Sequence, residues 1–455
     1  MPQYRDPVHG FIHVSEAEQK IIDSKPFQRL RNIRQLATTY LVYHGAEHTR
    51  FGHSIGVMHL VTRAFDAVTS KNKNIFSQDS RENELKIIWY RQILRLIALT
   101  HDLGHPPFSH ATEDLFVANL KHEDYTKQII EQSEINEYIL DIGLSLHKAI
   151  SEKAGLSDKE TIERYCIRPI SPQLIWMVYE GKDVINGEYL IPDFPFLREF
   201  MDGELDCDKM DYLLRDSLYC GVTYGKYDLE RFISSLTVYR NLENKILRLA
   251  ITSGGVQAFE EFVLARYFMF IQVYFHKTRR YFDDLLRQGM KEILPEGKFP
   301  SSTADYLDWD DVKVLQLMKT SQNATAKEYL ARRTMSCIYE TPAHSTRDKI
   351  LLAQNCFQFI KKEFPDAQFH SDDADKKAHK LLPSVYSSGD DETGIFVIDK
   401  HTSEPSNIMD HSRILSGIIE NIYIYRIYAK GNEIEQYKQW IIQQTSDNTI
   451  GGEHG

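Results

Sequence analysis

The chain has 455 residues, of which 42% are hydrophobic and 26% are charged, and its formal net charge is -11 at neutral pH. A chain of this length exceeds one ordinary hydrophobic core, so we expect a globular protein of two or three compact units. The acidic balance disfavours non-specific binding to duplex nucleic acid, although a local basic pocket for phosphates is compatible with it.

The cysteines and the N-terminus indicate the cellular compartment. Five cysteines are scattered along the chain without a CxxC pair, which argues against a disulfide framework and against a thiolate zinc site. The first residues, MPQYRDPVHGF, lack the apolar region of a signal peptide, and no apolar run approaches ~18 residues. We therefore expect a cytoplasmic protein with no membrane partner.

The first third of the chain predicts helices joined by short connections. Residues 15–36 predict helix with a break near Pro26, and its basic face places Arg29 and Arg34 in solvent. Residues 40–45 predict an extended segment. The motif HTRFGHS at 48–54 then leads into a helix with a core-facing apolar stripe, and His53 lies at the start of that helix.

A polar cluster follows the next helix. Residues 70–84 predict a surface loop, and residues 85–100 predict a helix that is apolar on nearly every side of its second half. This helix leads into HDLGHPPFSH at 101–110, which places three histidines and an aspartate within ten residues. Because a buried polar cluster must be satisfied, we expect partner residues, a metal ion, or both.

The middle of the chain contains a second informative segment. Residues 122–157 predict more helix and residues 181–197 a loop, which leads into GELDCDKMDYLLRDSLYCG at 203–221. On a helix, one face of this segment carries Asp208, Tyr212 and Asp216. The alternative interpretation is an exposed face with ordinary salt bridges.

The last part of the chain changes in character near residue 290. Residues 255–290 predict one long aromatic-rich helix. Beyond it, residues 323–340 and 346–363 predict helices, residues 394–400 and 421–430 predict strands, and residues 296–310 and 365–392 predict polar connectors. We therefore expect a mainly α protein with a helical body (residues 1–290, core motifs at 48–220) and a small α/β C-terminal lobe (residues 291–455).

The best candidate ligands for a catalytic divalent ion lie on three separate predicted helices. They are His53, His101, Asp102 and Asp208. Imidazole and carboxylate groups suit a site that keeps open positions for water and substrate. A His-Asp pair alone is a weak signal, but HDLGHxPFSH, the upstream RFGHS and the downstream DxDKMDY together form a specific set.

These motifs in this order resemble those of the HD-domain deoxynucleoside triphosphate triphosphohydrolases, which include bacterial dGTPase-like enzymes and the animal sterile-alpha-motif HD protein. The resemblance runs from DPVHG at 6–10 to about Arg280, and residues 412–430 still fit the C-terminal lobe of that family. It implies an HD-type helical body. It also implies that His53, His101, Asp102 and Asp208 hold one divalent ion of Mn, Fe, Co, Ni, Zn or Mg, with a second Mg²⁺ on the nucleotide phosphates as a further option.

The resemblance also implies roles for the residues around the metal. His105 and His110 would flank the scissile bond, His122 would line the phosphate site, and Glu113 would orient His110. The family often has aspartate where this chain has Glu113. For His122 the alternative is a surface histidine.

A further set of residues would bind the substrate by the same resemblance. Gln35 and Leu36 would lie against the sugar, Arg50 near the α-phosphate, Arg266 at the γ-phosphate and Tyr274 against the sugar. The remaining members, which would face the phosphates and the sugar, are Lys209, Tyr212 and Asp216. For Tyr212 the alternative is core packing.

The implied reaction is attack of water on the α-phosphorus of a dNTP, which releases a deoxynucleoside and intact triphosphate. A divalent ion lowers the pKa of water, and arginine, lysine and the ion neutralise the phosphate charge. Imidazole has a suitable pKa to protonate the leaving 5′-oxygen, and His110 is our candidate for this general acid.

The resemblance leaves regulation and selectivity open. Asp23, Gln28 and Arg31 match positions that contact an activating guanine nucleotide in the regulated animal member, but Thr252, Gly254 and Ala258 replace polar or charged side chains of that site. We therefore expect no nucleotide activation, or a differently built effector site. Phe275 follows Tyr274 where that member has a base-reading glutamine, so base selectivity does not transfer.

Three functional hypotheses follow. The first is a metal-dependent dNTP triphosphohydrolase that assembles as a homo-oligomer. The second is another HD phosphohydrolase, acting on nucleoside monophosphates or cyclic nucleotides, although these substrates do not need three cations. The third is a nucleic-acid-binding or sensing HD protein, which the acidic charge disfavours.

Overall fold

The computed structural model describes residues 2–117, 120–181, 184–185, 188–189, 193–240, 246–377, 394–399, 402, 404–418 and 421–450. The fold is mainly α, as predicted. Residues 182–183, 186–187 and 190–192 of the predicted loop at 181–197, and residues 378–392 of the predicted polar connector at 365–392, lie outside the described residues.

Helices make up most of the described chain. In the first half they are α1 (Glu16–Asp23), α2 (Lys25–Arg29), α3 (Arg50–Lys71), α4 (Ser80–Thr100), α5 (His122–Gln132), α6 (Ile135–Ala154), α7 (Asp158–Tyr165), α8 (Pro172–Glu180) and α9 (Phe194–Glu199). In the second half they are α10 (Cys207–Cys220), α11 (Leu229–Ser235), α12 (Val256–Met269), α13 (Lys277–Ile293), α14 (Thr303–Tyr306), α15 (Asp311–Thr320), α16 (Ala324–Leu330), α17 (Arg347–Glu363), α18 (Ile408–His411), α19 (Arg413–Gly417) and α20 (Ile434–Ile450).

The strands form small sheets around this helical body. They are β1 (Gln3–Asp6), β2 (Gly10–His13), β3 (Val184–Ile185), β4 (Glu188–Tyr189), β5 (Leu236–Arg240), β6 (Leu247–Thr252), β7 (Ser336–Glu340), β8 (Gln368–Lys376), β9 (Phe396–Ile398), β10 (Pro405–Asn407) and β11 (Ile422–Lys430). Two hairpins, β1-β2 and β3-β4, accompany a four-stranded sheet in the order β10-β9-β6-β5 and a three-stranded sheet in the order β7-β11-β8.

Two hydrophobic cores hold the described chain together. The large core includes most buried residues of α3 and α4 and continues through α12 and α13 to Trp309 and Tyr329. A smaller core lies between α17, α20 and the β7-β11-β8 sheet, and its buried members include Ile350, Ile360 and Ile441. The domain boundary near residue 290 stays a prediction. Strand β9, which follows that boundary in the chain, pairs in parallel with β6, which precedes it.

The helices that carry the candidate site begin and end at recognisable signals. Helix α4 begins with Asp79 as its N-cap, whose carboxylate accepts from two backbone N–H groups, and it ends at Thr100, directly before His101. Helix α10 begins with Asp206 as its N-cap and ends at Gly221, whose φ of 70° suits a left-handed C-cap. These boundaries bring residues 101–110 and Asp208 to helix ends that face each other.

Several predicted elements are wrong in extent or type. Residues 40–45 are not extended, because a 3-10 turn runs over Thr39–Leu41. The helix predicted over 255–290 is two helices, separated by a π-helical turn at Phe270–Tyr274. The helix predicted over 323–340 ends at Leu330, and β7 follows it.

Two further corrections concern charged residues. The polar segment HSDDADK belongs to β8, an edge strand, where polar side chains are tolerated because one side of the strand faces solvent. Arg29 is buried, not solvated, since it donates to the carbonyl oxygens of Trp309 and His105. Arg34 is half-buried and pairs with Glu47 and Asp311.

Candidate active site

Three elements bring the predicted metal ligands together. His53 comes from the first turns of α3, His101 follows α4, and Asp208 lies in the first turn of α10. The ligand atoms of these three residues all lie within 4.8 Å of one another. The Nε2 atom of His53 is 2.9 Å from Oδ1 of Asp208, and Nε2 of His101 is 3.8 Å from the same oxygen.

Asp102, the fourth predicted ligand, lies beside this cluster. One of its oxygens is 3.4 Å from Nε2 of His101, and the other is 3.6 Å from Nε2 of His53. Arg50 donates to Asp102 over 2.5 Å and to the hydroxyl of Ser109. Burial raises the pKa of Asp102, but Arg50 and the imidazoles outweigh it and hold the pKa well below its usual value.

Hydrogen bonds fix which nitrogen of each histidine faces the cluster. Nδ1 of His101 donates to the carbonyl oxygen of Ala98, and Nδ1 of His53 donates to the buried carboxylate of Asp211. A carbonyl or carboxylate oxygen only accepts, so in the neutral rings Nδ1 carries the proton and the lone pair of each Nε2 atom points into the cluster. Nε2 of His101 is buried without a hydrogen-bond partner among the described residues. This donor set therefore fits a divalent ion.

The charges of the cluster are strongly coupled. Burial lowers the pKa of His53, but hydrogen bonds to Asp208 and Asp211 raise it to about 10. Burial raises the pKa of Asp208, but the two imidazoles lower it below its usual value. A metal ion and protons therefore compete for the same nitrogens, as is typical of histidine sites.

A buried ionic network supports His53 from behind. Asp211 also accepts from Nε2 of His9 over 2.6 Å and from two guanidinium nitrogens of Arg215. Arg215 in turn donates to Asp6. A Cβ atom on Gly56 of α3 would lie 2.0 Å from Oδ1 of Asp211, so only glycine allows this approach. Asp6 and His9 of the N-terminal DPVHG segment thus help to position His53 in the cluster of candidate metal ligands.

A second cluster contains the predicted proton-handling residues. Nδ1 of His122 is 2.7 Å from Oε1 of Glu113, Nδ1 of His110 is 3.0 Å from it, and Nδ1 of His105 is 3.8 Å from it. The rings of His105 and His122 are stacked with centroids 3.9 Å apart. Burial raises the pKa of Glu113, but the surrounding imidazoles lower it below its usual value.

The two clusters are adjacent. Nε2 of His105 is 3.2 Å from Oδ1 of Asp102. Burial and the positive charge of Arg50 lower the pKa of His105 well below its usual value. The loop that connects His105 to His110 takes left-handed backbone angles at Phe108 and Ser109, where φ is 60° and 52°. These backbone angles are strained for residues other than glycine, so the hydrogen bonds of the loop must stabilise them.

The predicted sugar-side residues are linked through contacts of His48 and Tyr274. The hydroxyl of Tyr274 donates to Asp216 over 2.7 Å, and His48 pairs with the other oxygen of Asp216 over 2.8 Å. The backbone N–H of Gln35 donates to the carbonyl oxygen of His48, and Leu36 follows Gln35 in the core. The rings of Tyr212 and Tyr274 meet edge to face with centroids 6.3 Å apart. The carboxylate of Asp216 is thus engaged by both Tyr274 and His48.

The predicted phosphate-binding cations both have acidic neighbours. Lys209 donates to Asp206 and to the carbonyl oxygen of Gly203. Arg266 lies 3.7 Å from Glu204. Burial lowers the pKa of Lys209, but Asp206 outweighs this effect and raises it. Both side chains are therefore charged.

The predicted effector residues lie apart from these clusters, on α1, α2 and the turn that follows. The side chain of Gln28 donates to the carbonyl oxygen of Ile22 and accepts from Arg31. Asp23 accepts from Gln19. Asp23 and Arg31 are exposed.

Sequence reasoning assigned no role to four residues that support the site: His9, His48, Asp211 and Arg215. His9 and His48 belong to the motifs DPVHG and HTRFGHS, and Asp211 and Arg215 follow Asp208 on α10. Their neighbours in space are up to 209 positions away in sequence. The motifs contain these residues, but only the tertiary contacts indicate what they do.

Residues 50–175 match the HD domain, and residues 227–356 match the HD associated region. The chain is 30% identical to the Bacillus subtilis protein YwfO over 409 residues, which cover 88% of this chain and 80% of that protein. The chain belongs to the HD-domain family. The crystal structure of a hypothetical protein from Aquifex aeolicus superposes with a TM-score of 0.70 at 28% identity, and the match covers 96% of this chain and 99% of that one.

This HD-domain protein is also similar to a named enzyme. It is 30% identical over 241 residues to the deoxynucleoside triphosphate triphosphohydrolase SAMHD1 of Danio rerio. That match covers 51% of this chain and 36% of SAMHD1, so the chain spans about a third of this relative's length. The HD match and the His/Asp cluster together support a metal-dependent hydrolase. In the described part of the chain, no helix is both long and apolar enough to cross a membrane.

Proposed function

We propose that this HD-domain protein is a metal-dependent phosphohydrolase that cleaves dNTPs into deoxynucleoside and triphosphate by attack of water at the α-phosphorus. The observation that carries the proposal is the contact between Asp102 and His105, which joins the two clusters over 3.2 Å. A nucleophile prepared at the first cluster and a proton donor in the second would then stand on opposite sides of one phosphorus atom.

The first cluster supplies the hydrolytic half of this chemistry. His53, His101 and Asp208, with Asp102 beside them, would hold a divalent ion, which supplies Lewis acidity and activated water when bound. Asp211 and the carbonyl oxygen of Ala98 keep the Nε2 lone pairs aimed at the cluster. Arg50 supplies positive charge beside Asp102.

The second cluster supplies the proton. The side chain of His110 is 64% exposed, so its free edge is accessible to a leaving oxygen. Glu113 accepts from Nδ1 of His110 and so orients the ring, which would serve as the general acid. The carboxylate thus has the orienting role, and the additional methylene of glutamate, relative to aspartate, still lets it contact His110.

The cations favour a triphosphate as the substrate. Lys209 and Arg266 are held near the site by Asp206 and Glu204, and with Arg50 they offer three positive side chains. A polyanion with several charges uses all of them, whereas a monophosphate does not. The similarity to SAMHD1, whose printed activity is deoxynucleoside triphosphate triphosphohydrolase, supports the same substrate class.

The proposal includes the assembly and the wall of the sugar pocket. Gln35, Leu36, Tyr212, Asp216 and Tyr274 would bind the sugar, and the protein would act as a homo-oligomer in the cytoplasm. Size-exclusion chromatography with light scattering tests the assembly.

A product analysis tests the function. The purified protein is incubated with dNTPs, NTPs, nucleoside monophosphates and single-stranded DNA in the presence of Mg, Mn, Fe, Co, Ni or Zn. We expect tripolyphosphate and deoxynucleoside from dNTPs, and no such products from His101→Ala or Asp208→Ala. His110→Ala should lower kcat about 10²- to 10⁴-fold, the usual contribution of a general acid.

His44→Ala is the matched control, because it removes an exposed imidazole on the loop before His48. It should leave the reaction unchanged. Phosphate or pyrophosphate as the only product would contradict the proposal, and turnover of monophosphates alone would favour the second enzyme hypothesis.

A further inference from the structure

We propose that His110, Glu113 and His122, together with His105, form a second metal site that binds Zn²⁺ and inhibits the enzyme. The ligand atoms of these four residues all lie within 4.8 Å of one another. The binding part of this proposal stands on its own, and the inhibitory part rests on the proposed function.

Glu113 is the centre of this cluster. Its Oε1 atom lies 2.7 Å from Nδ1 of His122 and 3.0 Å from Nδ1 of His110. Two nitrogens that meet one carboxylate oxygen at these distances need only small side-chain shifts to share a cation. Two imidazoles and one glutamate are a donor set that zinc uses in hydrolases, with further positions left open.

His105 provides the independent sign that a cation belongs there. Its Nε2 atom faces the carboxylate of Asp102, which only accepts, so the proton of the neutral ring lies on Nε2. Nδ1 is then a lone pair, and it faces Oε1 of Glu113 at 3.8 Å. This nitrogen is buried, and it has no hydrogen-bond partner among the described residues. Two electron-rich atoms that face each other are stabilised by a positive charge between them.

The chemistry of the donors selects the ion. Nitrogen ligands suit zinc and other late transition metals, whereas Mg²⁺ and Ca²⁺ prefer oxygen ligands. This site shares no ligand with the first cluster, because His105 uses Nδ1 here and turns Nε2 to Asp102. The chain therefore offers two separate metal sites on either side of the Asp102–His105 contact.

Occupation of the second site would stop proton transfer. A metal ion binds the neutral imidazole through its lone pair, so His110 could no longer serve as an imidazolium acid. Glu113 would be engaged by the ion and would no longer orient His110. Zinc in excess of one equivalent should therefore inhibit hydrolysis, while the first equivalent should not.

Zinc binding to the metal-free protein tests this proposal without substrate. Equilibrium dialysis against Zn²⁺, followed by elemental analysis, measures the number of ions bound by the full chain. We expect two equivalents for the wild type and for His44→Ala, and one equivalent for Glu113→Gln and for His122→Ala. His53→Ala should also bind one, and the double variant His53→Ala/Glu113→Gln none.

The retained equivalent serves as the control for folding, since Glu113→Gln that still binds zinc through the first cluster must be folded. A wild type that binds one equivalent, and keeps it in Glu113→Gln, overturns the proposal. Two equivalents in Glu113→Gln and His122→Ala would do the same.

A second measurement addresses inhibition. With one equivalent of zinc bound, further Zn²⁺ should reduce the rate of dNTP hydrolysis in the wild type. If no dNTP is hydrolysed under any condition, the proposed function fails, but the stoichiometry still decides whether the second site exists.

Discussion

Asp211 is a single residue whose position links the N-terminus to the metal cluster. Its carboxylate is fully buried and accepts from His53, His9 and Arg215. Burial raises the pKa of Asp211, but Arg215 and the histidines lower it well below its usual value, so the group is ionised. A carboxylate behind a metal-binding histidine fixes the tautomer and the orientation of the ring.

Asp211→Asn should weaken metal binding about 10- to 100-fold, the usual effect of losing such a supporting carboxylate. The amide lacks the negative charge that holds the proton on Nδ1 of His53. Titration of the metal-free protein with Co²⁺, followed by its visible absorption, measures the change. Asp216→Asn on the same helix contacts Tyr274 and His48 instead, so its Co²⁺ affinity should equal that of the wild type. Equal affinities in both variants would contradict this role.

A buried ion pair between Glu18 and Arg95 joins helices α1 and α4. Both oxygens of Glu18 accept from Arg95 over 2.7 Å, and Glu18 also closes the capping box of α1 with Ser15. Burial raises the pKa of Glu18, but the hydrogen bonds and charge of Arg95 lower it from 4.5 to about 2. Folding therefore favours the ionised form, and the pair stabilises the fold at neutral pH.

Glu18→Gln should lower the free energy of unfolding by about 3 kcal/mol at pH 7, as a shift of this size implies. Because the folded pKa is depressed, this contribution is present above pH 4.5 and is lost as the pH falls towards 2. Urea denaturation at pH 7, 5 and 3.5 measures it. Glu16→Gln, an exposed change on the same helix, should show no such pH dependence. A constant difference between wild type and Glu18→Gln at all three pH values would contradict the prediction.

The segment that leads into α15, together with its first residue Asp311, supports the strained loop at residues 103–110. The hydroxyl of Tyr306 donates to the carbonyl oxygen of Gly104, and Asp311 accepts from the backbone N–H of Phe108 over 2.7 Å. Asp311 also accepts from the backbone N–H of Arg34. The residues matched by the HD associated region therefore hold the loop of the HD domain in its shape.

Asp311→Ala should leave the buried N–H of Phe108 and the half-buried N–H of Arg34 without this acceptor, at a cost of about 1–3 kcal/mol for the buried group. We expect faster amide exchange at Phe108 and a lower turnover, with metal affinity unchanged. Hydrogen exchange with mass spectrometry on residues 103–115 measures the loop directly. Asp310→Ala removes the cap of α15 and a hydrogen bond from Asn32, neither of which involves residues 103–115, so protection of the loop should persist there.

The described residues pack into two hydrophobic cores. The smaller core contains residues from α17, α20, β7 and β11, while the large core contains the helices that carry both clusters. Strand β11 contributes to both, since Tyr428 packs in the large core and Ile427 in the small one. We expect the smaller core to unfold locally while His53, His101 and Asp208 keep their arrangement.

Ile360→Ala should test this division, because Ile360 is fully buried in the smaller core. Its truncation should cost about 2–5 kcal/mol. Hydrogen exchange should increase across α17 and α20 and stay unchanged across α3, α4 and α10. Loss of protection in all five helices together would indicate one cooperative unit, and would contradict the predicted boundary near residue 290.

The amino-acid sequence predicted the mainly α class, α4 from residue 85 onward but not its first turn, α10 and α17, strands β9 and β11, and the candidate metal ligands. These features depend on local patterns: apolar periodicity, helix caps and motifs of closely spaced histidine and aspartate. Periodicity extends over neighbouring residues, so a single chain segment carries the information. His53, His101 and Asp208 are far apart along the chain, but they could be predicted from sequence because each lies in its own motif.

The remaining features depend on contacts between distant parts of the chain. Arg29 and Asp211 look like ordinary surface charges in sequence, but their hydrogen bonds are made by residues far away in the chain. The polar segment of β8 forms a strand because β11 pairs with it along its whole length. A buried charge is stable only where partners converge on it, and that convergence is a property of the packed fold, not of any local segment.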